Sequence, residues 1–168
     1  MKQWMGLSLM MLAAVSGVSV AAGAKQTIGW VETVRVTPGN VVVKAKIDTG
    51  AKMSSLGCDC RTEFERDGKR WMRFSVEDEH GELATFERPI IRKVKIKRHF
   101  GQAQERVVVD LGVCLGNQYK VTQVNLVDRS GFIYPMLIGR DDLAGRFVVD
   151  PQQKFRSRPN CAETPKLE

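Results

Sequence analysis

Apolar residues along this chain come in short runs, alternating with polar ones or clustering as β-branched pairs, and each run ends at a turn residue. Ile28 to Val36 and Val41 to Ile47 are the clearest pair, separated by Thr37-Pro38-Gly39-Asn40. Period-two alternation marks a strand with one buried face, and the Pro-Gly-Asn break puts the two runs at hairpin distance. Further strand-like runs are Arg70 to Val76, Thr85 to Glu87, Ile90 to Lys97, Glu105 to Leu111, Lys120 to Leu126, Met136 to Ile138 and Arg146 to Val149. Asp67-Gly68, Glu79-His80-Gly81, Gly101 and Leu115-Gly116-Asn117 supply the turns between them. The pattern predicts one helical turn, around Asp141 to Ala144. Many short, regularly spaced strands predict an all-β barrel or sandwich, with at most one short helix.

Length changes this picture only at the ends. The 168 residues suit one globular domain, and the 43% hydrophobic, 27% charged composition excludes a disordered or collagen-like chain. Lys2, the apolar run from Trp4 to Val20 and the small residues Ala22-Gly23-Ala24 read as a signal peptide over residues 1–24. The protein is therefore expected to be periplasmic or secreted. Residues 25–155 form the expected domain, and 156–168 a polar, Pro-containing tail.

The net charge of +7 raises the question of a nucleic-acid partner. Its densest stretch is Arg88, Arg92, Lys93, Lys95, Lys97 and Arg98, where the lysines alternate with Val94 and Ile96. That spacing is the wet face of a half-buried strand, where lysines also discourage edge pairing. No nucleic-acid partner is expected; a basic face would instead favour an anionic envelope surface or an acidic substrate.

Cys58, Cys60, Cys114 and Cys161 would sit in an oxidising compartment, where disulfides form. A Cys58–Cys60 bridge is geometrically unattractive. Cys114 in Val113-Cys114-Leu115 reads as a buried free thiol, and Cys161 as a partner for Cys58 or Cys60 that would pin the tail. Cys-x-Cys spacing with only His80 and His99 available is a poor zinc set, so no metal is expected. His80 reads as an exposed loop residue, and neither histidine makes a nucleophilic pair with a cysteine.

Chemistry concentrates in Lys46-Ile47-Asp48-Thr49-Gly50-Ala51. A strand delivers a carboxylate to a fixed place, Thr49 can hold the loop by hydrogen bonding, and Gly50 permits close backbone approach. Downstream, Pro135-Met136-Leu137-Ile138-Gly139-Arg140 offers an apolar strand that can pack beneath that loop. Asp128 and Ser130 read as turn residues, Asp141 and Asp142 as caps of a helical turn, with a second carboxylate from one of them in the same chain as the alternative, and Arg140 as the partner of a local acid.

At Asp48-Thr49-Gly50-Ala51 and Ile138-Gly139-Arg140 the chain resembles the retropepsin-like aspartic proteases. It is most similar to a bacterial branch often labelled ATP-dependent zinc protease. Ile28-Gly29-Trp30-Val31-Glu32, Lys52-Met53-Ser54-Ser55-Leu56, Phe64-Glu65-Arg66-Asp67-Gly68, Glu87-Arg88-Pro89, Asp128-Arg129-Ser130 and Tyr134-Pro135 extend the likeness over most of the chain. Neither His-Glu-x-x-His nor a Gly-x4-Gly-Lys-Ser/Thr loop occurs, so zinc and ATP dependence are not expected and no cofactor is implied.

The resemblance implies an acid-protease barrel, a peptide or protein substrate, and water activated by Asp48. Two adjacent carboxyls share a proton, one acting as base and the other as acid. This chain has one Asp-Thr-Gly loop, so the resemblance implies a homodimer in which each copy gives one Asp48. Thr49 and Gly50 would complete the catalytic loop, with Ala51, Ile138, Gly139 and Arg140 as the floor. The glycine-rich flap of retroviral proteases has no counterpart: Trp71 to Pro89 is charged, with only Gly81. A non-catalytic envelope-binding domain on the same barrel is the other function class, because a fold does not fix a function.

Overall fold

The computed structural model describes residues 24–96 and 102–162. Most of the expected export segment, together with Lys97, Arg98 and His99 of the basic stretch, lies outside the described residues. No helix among the described residues is long and apolar enough to cross a membrane.

The fold is nearly all β. Strands β1 (Gln26–Thr37), β2 (Val41–Ile47), β3 (Ser54–Gly57), β8 (Gln104–Leu115), β9 (Gln118–Val127) and β10 (Met136–Ile138) close into a barrel in the order β1-β2-β10-β3-β9-β8, with β1 returning to β8. Strand β11 (Phe147–Lys154) adds in parallel to β1, and β7 (Arg92–Ile96) adds to β8. Strands β4 (Asp59–Arg66), β5 (Lys69–Glu77) and β6 (Leu83–Pro89) make a separate antiparallel sheet. The one helix among the described residues, α1, is a single turn over Arg140–Leu143.

Alternation explains most of this. In β2, Val41, Val43, Ala45 and Ile47 are buried while Lys44 and Lys46 face solvent. In β5, Met72, Phe74 and Val76 point into the same core as the barrel residues Val43, Leu56, Leu111, Leu126 and Met136. Phe74 and Phe86, cross-strand partners in β5 and β6, stack with ring centroids 5.2 Å apart, and both are buried in that shared core. At the β1–β2 turn, Gly39 and Asn40 take φ of 94° and 53°, the left-handed region that Gly and Asn tolerate best.

Two strands lie outside the alternation reading. Strand β3 is buried on both faces and carries serines, so no period shows, and it exists because β9 and β10 pair with it on either side. Strand β4 is polar and pairs with a strand on one side only. Pro151 sits inside β11, next to the Gly29/Val31 irregularity in its pairing with β1.

The thiols correct the sequence reading. Cys114 is buried but not free: it forms a disulfide with Cys161, Cα to Cα 6.0 Å. The tail is already laid across the β8–β9 turn, where Asn160 N–H donates to Gly116 C=O (2.7 Å) and Arg35 Nη2 to Cys161 C=O (3.3 Å). Upstream, the carboxylate of fully buried Glu32 accepts Gly29 N–H (2.5 Å), Arg156 N–H (3.1 Å) and Ser157 N–H (3.0 Å). Among the described side chains Cys58 is a free, buried thiol, and burial pushes its pKa up to about 12.

Candidate active site

Strand β10 inserts between β2 and β3, parallel to the first and antiparallel to the second. The segment joining β2 to β3, residues 48–53, therefore has to pass over the end of β10. Asp48 is the first residue of that crossing, and its N–H donates to Ile138 C=O (2.9 Å), carrying the pairing with β10 one step beyond Ile47.

The loop then folds back on its own acid. Asp48 Oδ1 accepts Gly50 N–H (2.9 Å) and Ala51 N–H (3.2 Å), an Asx-type turn that fixes the carboxylate against the backbone. A Cβ on Gly50 would stand 3.1 Å from that oxygen. Thr49 and Gly50 lie exposed at the apex, while Asp48 is half-buried.

From below, Arg140 N–H donates to Ala51 C=O (2.9 Å) and Asp141 N–H to Lys52 C=O (3.1 Å). Arg140 Nη1 reaches both Thr49 C=O and Gly50 C=O at 2.8 Å. The guanidinium thus binds loop carbonyls, not the carboxylate expected from sequence, because the turn aims two backbone acceptors at it. Gly139 passes so near the loop that a Cβ there would lie 2.6 Å from Lys52 O and from Met53 C. Asp48, Thr49, Gly50, Ala51, Ile138, Gly139 and Arg140 thus form one hydrogen-bonded unit.

Asp142 does not cap the helix. The cap position is Gly139, without a side-chain cap bond, and Asp142 is 5% exposed beneath the floor. Its Oδ2 accepts Ser54 Oγ (2.5 Å), and its Oδ1 accepts Thr122 Oγ1 (2.6 Å) and Lys120 Nζ (2.9 Å). Both oxygens are occupied there, so Asp142 is not a second acid for Asp48. Asp128 does form the expected turn, with Ser130 N–H on its Oδ1 (2.9 Å), a bond that holds its carboxyl below the ordinary range.

The outer face of β2 carries Lys44, Lys46 and then Asp48. In register beside Lys46 come Leu137 and then Ser55, whose Oγ accepts Arg129 Nη1 (3.2 Å). Arg129 also donates to Tyr134 C=O (3.0 Å) and lies over the exposed Phe132 ring, 4.5 Å from its centroid. Burial lowers the Arg129 pKa, and the negative charge of Asp48 opposes that shift. A cleft of about 340 Å3 continues along this face, lined by Gly57, Cys58, Ser75, Glu77, Arg129 and Phe132. It does not reach Asp48 itself; Arg129 is the charged link between them.

The hairpin in the position of a flap is turned away. At its tip Glu79 N–H donates to Val42 C=O (3.1 Å). Val42 precedes Asp48 by six residues, about 20 Å at roughly 3.3 Å per strand residue. The loop is approached without that hairpin over it.

Two residues that complete the arrangement, Arg129 and Ser54, were given no role by the sequence reading, and Asp142 was given another one. Arg129 had a local signal, its place in Asp128-Arg129-Ser130. Ser54 had none, and Asp142 had the wrong one, an acid at a helix start.

Comparison with known proteins gives the family. The family described as RimB-like, "Retropepsin-like aspartic endopeptidase RimB", matches residues 27–160. A Parasynechococcus marenigrum protein named "Probable alpha-L-glutamate ligase" is 30% identical over 117 residues, 68% of this chain and 25% of that protein. A Desulfotalea psychrophila protein of the same name is 30% identical over 116 residues, 67% of this chain and 25% of its own. The chain thus spans about a quarter of the length of these relatives. A crystal structure from Legionella pneumophila, of a protein of unknown function, superposes with a TM-score of 0.70 at 35% identity, covering 80% of this chain and all of that one.

Proposed function

Starting from a chain that belongs to the RimB-like family of retropepsin-like aspartic endopeptidases, we propose that it is an exported peptide hydrolase in which Asp48 activates water and a second copy of the chain supplies the other acid. The observation that carries this reading is the Asp48 loop: a carboxylate fixed by two loop N–H groups, on a floor made by Ile138, Gly139 and Arg140, with Thr49 and Gly50 exposed. Asp142, one of the two acids that could have completed a pair within one chain, is committed to Ser54, Thr122 and Lys120. A two-fold contact through the exposed apex would bring two Asp48 carboxyls together, where they share one proton. The deprotonated member takes a proton from water as the oxygen attacks the peptide carbonyl, and the protonated member donates to that carbonyl's oxygen.

Acidic peptides are the substrate class we favour. Lys44 and Lys46 lie on the face that bears Asp48, and relatives containing this domain are named for ligation of α-L-glutamate. The Cys114–Cys161 disulfide supports an oxidising compartment, periplasmic or extracellular. Digestion of a mixed peptide library between pH 3 and 7, read by mass spectrometry, tests the proposal. Wild-type protein should cleave, with Glu/Asp-rich peptides overrepresented, Asp48→Asn should not, and Lys46→Glu should weaken the acidic preference. Cleavage by Asp48→Asn at the wild-type rate would sink the hydrolytic role. Indifference of Lys46→Glu would sink the substrate class alone.

A further inference from the structure

A peptide group is planar, with its C=O and N–H pointing to opposite sides, so whatever fixes one end orients the other. The group between Ile138 and Gly139 is held at both ends by residues that bound the active-site loop. Its C=O accepts Asp48 N–H (2.9 Å), where the loop begins, and its N–H donates to Ser54 Oγ (3.1 Å), where the loop ends. Ser54 has no exposed surface, and its hydroxyl proton goes to Asp142 Oδ2 at 2.5 Å. That bond leaves the hydroxyl lone pairs to receive Gly139 N–H.

Asp142 cannot swing to accommodate a change. Thr122 Oγ1 and Lys120 Nζ hold its other oxygen, and its own N–H donates to Gly139 C=O (3.1 Å). Ser54 is fixed a second time through its C=O, which accepts Asn125 Nδ2 (2.7 Å). Ser54, Asp142, Thr122 and Asn125 are buried, so each bond among them polarises the next and a partner lost there is not readily replaced by water.

We propose that Asp142 is a positioning residue for Asp48, acting through Ser54 and the Ile138–Gly139 peptide plane; its kinetic consequence rests on Asp48 being the catalytic carboxylate, but the mechanical coupling does not. Asp142→Asn is the informative variant. The amide has one acceptor oxygen, which Thr122 and Lys120 both require, so its NH2 faces Ser54 and donates there. The Ser54 hydroxyl proton then has no acceptor, and turning it away from the new amide donor moves the lone pair that Gly139 N–H uses. Ser54→Ala breaks the same link at its other member.

Two readouts separate this role from general support of the fold. The first is hydrogen exchange at the Asp48 amide, followed by NMR and compared with Glu32→Gln, which disturbs a buried carboxylate network on another part of the barrel. At matched global stability, Asp142→Asn and Ser54→Ala should speed exchange at Asp48 and Gly139 by about tenfold or more, whereas Glu32→Gln should not. The second is kinetic: kcat for peptide cleavage should fall, on the order of 10²-fold for a displaced reacting group, with KM held. The double variant should be no worse than either single one. Folded Asp142→Asn protein whose Asp48 amide exchanges like the Glu32→Gln control overturns the proposal, as does an unchanged kcat. Should wild-type protein cleave no peptide, the hydrolase reading fails, and the exchange measurement still decides the coupling.

Discussion

Replacing Gly139 by Ala adds a methyl group where the loop and its floor touch. The backbone of Gly139 has φ −92° and ψ 174°, ordinary extended values that Ala accepts, so the perturbation is contact alone. The new Cβ would lie 2.6 Å from Lys52 O, 2.6 Å from Met53 C and 2.8 Å from Met53 O. All three are backbone atoms, and Lys52 C=O is held by Asp141 N–H, so relief requires the loop to lift or the end of β10 to drop. Overpacking a well-filled site costs about 1–3 kcal/mol, and an immovable backbone neighbour puts this case at about 3 kcal/mol. For a domain of this size that is a Tm lower by about 6–12 °C. Urea unfolding followed by circular dichroism gives the difference directly. Gly131→Ala is the matched control, because nothing lies within 4 Å of its Cβ, and it should stay within about 0.5 kcal/mol of wild type. If Gly139→Ala also stayed within about 0.5 kcal/mol, the close packing of floor and loop would be wrong, and with it the account of how Asp48 is held.

Removing the disulfide by a Cys114→Ala, Cys161→Ala pair should cost about 2–4 kcal/mol in oxidised protein, since the bridge closes a separation of 47 residues. The deficit should nearly vanish in a strong thiol reductant, and a deficit unchanged by reduction would assign the loss to packing. Cys58, pushed up to about 12, should resist iodoacetamide at pH 8 in a Cys60→Ser background and label freely once urea unfolds the chain. Its raised pKa also has a stability sign: the unfolded thiol ionises near its ordinary 9.0 while the folded one keeps its proton. The contribution is whole below pH 9 and falls between pH 9 and 12, by up to about 1.4 kcal/mol per pH unit. Wild type should lose stability relative to Cys58→Ala over that window, and parallel pH curves would contradict the burial.

Legibility from sequence followed the reach of the forces involved. The strands that bury one face wrote themselves into the chain as alternation, so β2 and β5 could be read locally. Strand β3 has no such period because neighbours cover both of its faces, and its serines look like loop residues until their partners are known. Asp48-Thr49-Gly50 and Ile138-Gly139-Arg140 are continuous motifs, and the order of β2, β10 and β3 brings them together. Asp142 and Ser54 meet across 88 residues, and no spacing rule joins an acid after a glycine to a serine in a short polar strand. Cys114 illustrates the same limit: its apolar neighbours correctly predicted burial, but its partner depended on where the tail runs.

The central claim is that Asp48 hydrolyses peptides as one of two such acids drawn from separate copies. Folded Asp48→Asn protein titrated into a fixed, limiting amount of wild type tests it most directly, with cleavage of an acidic peptide followed by mass spectrometry at mildly acidic pH. The variant should draw wild-type chains into pairs bearing a single acid, and the rate should fall toward zero as it is added. A rate indifferent to excess Asp48→Asn, or one that rises with it, would contradict the account.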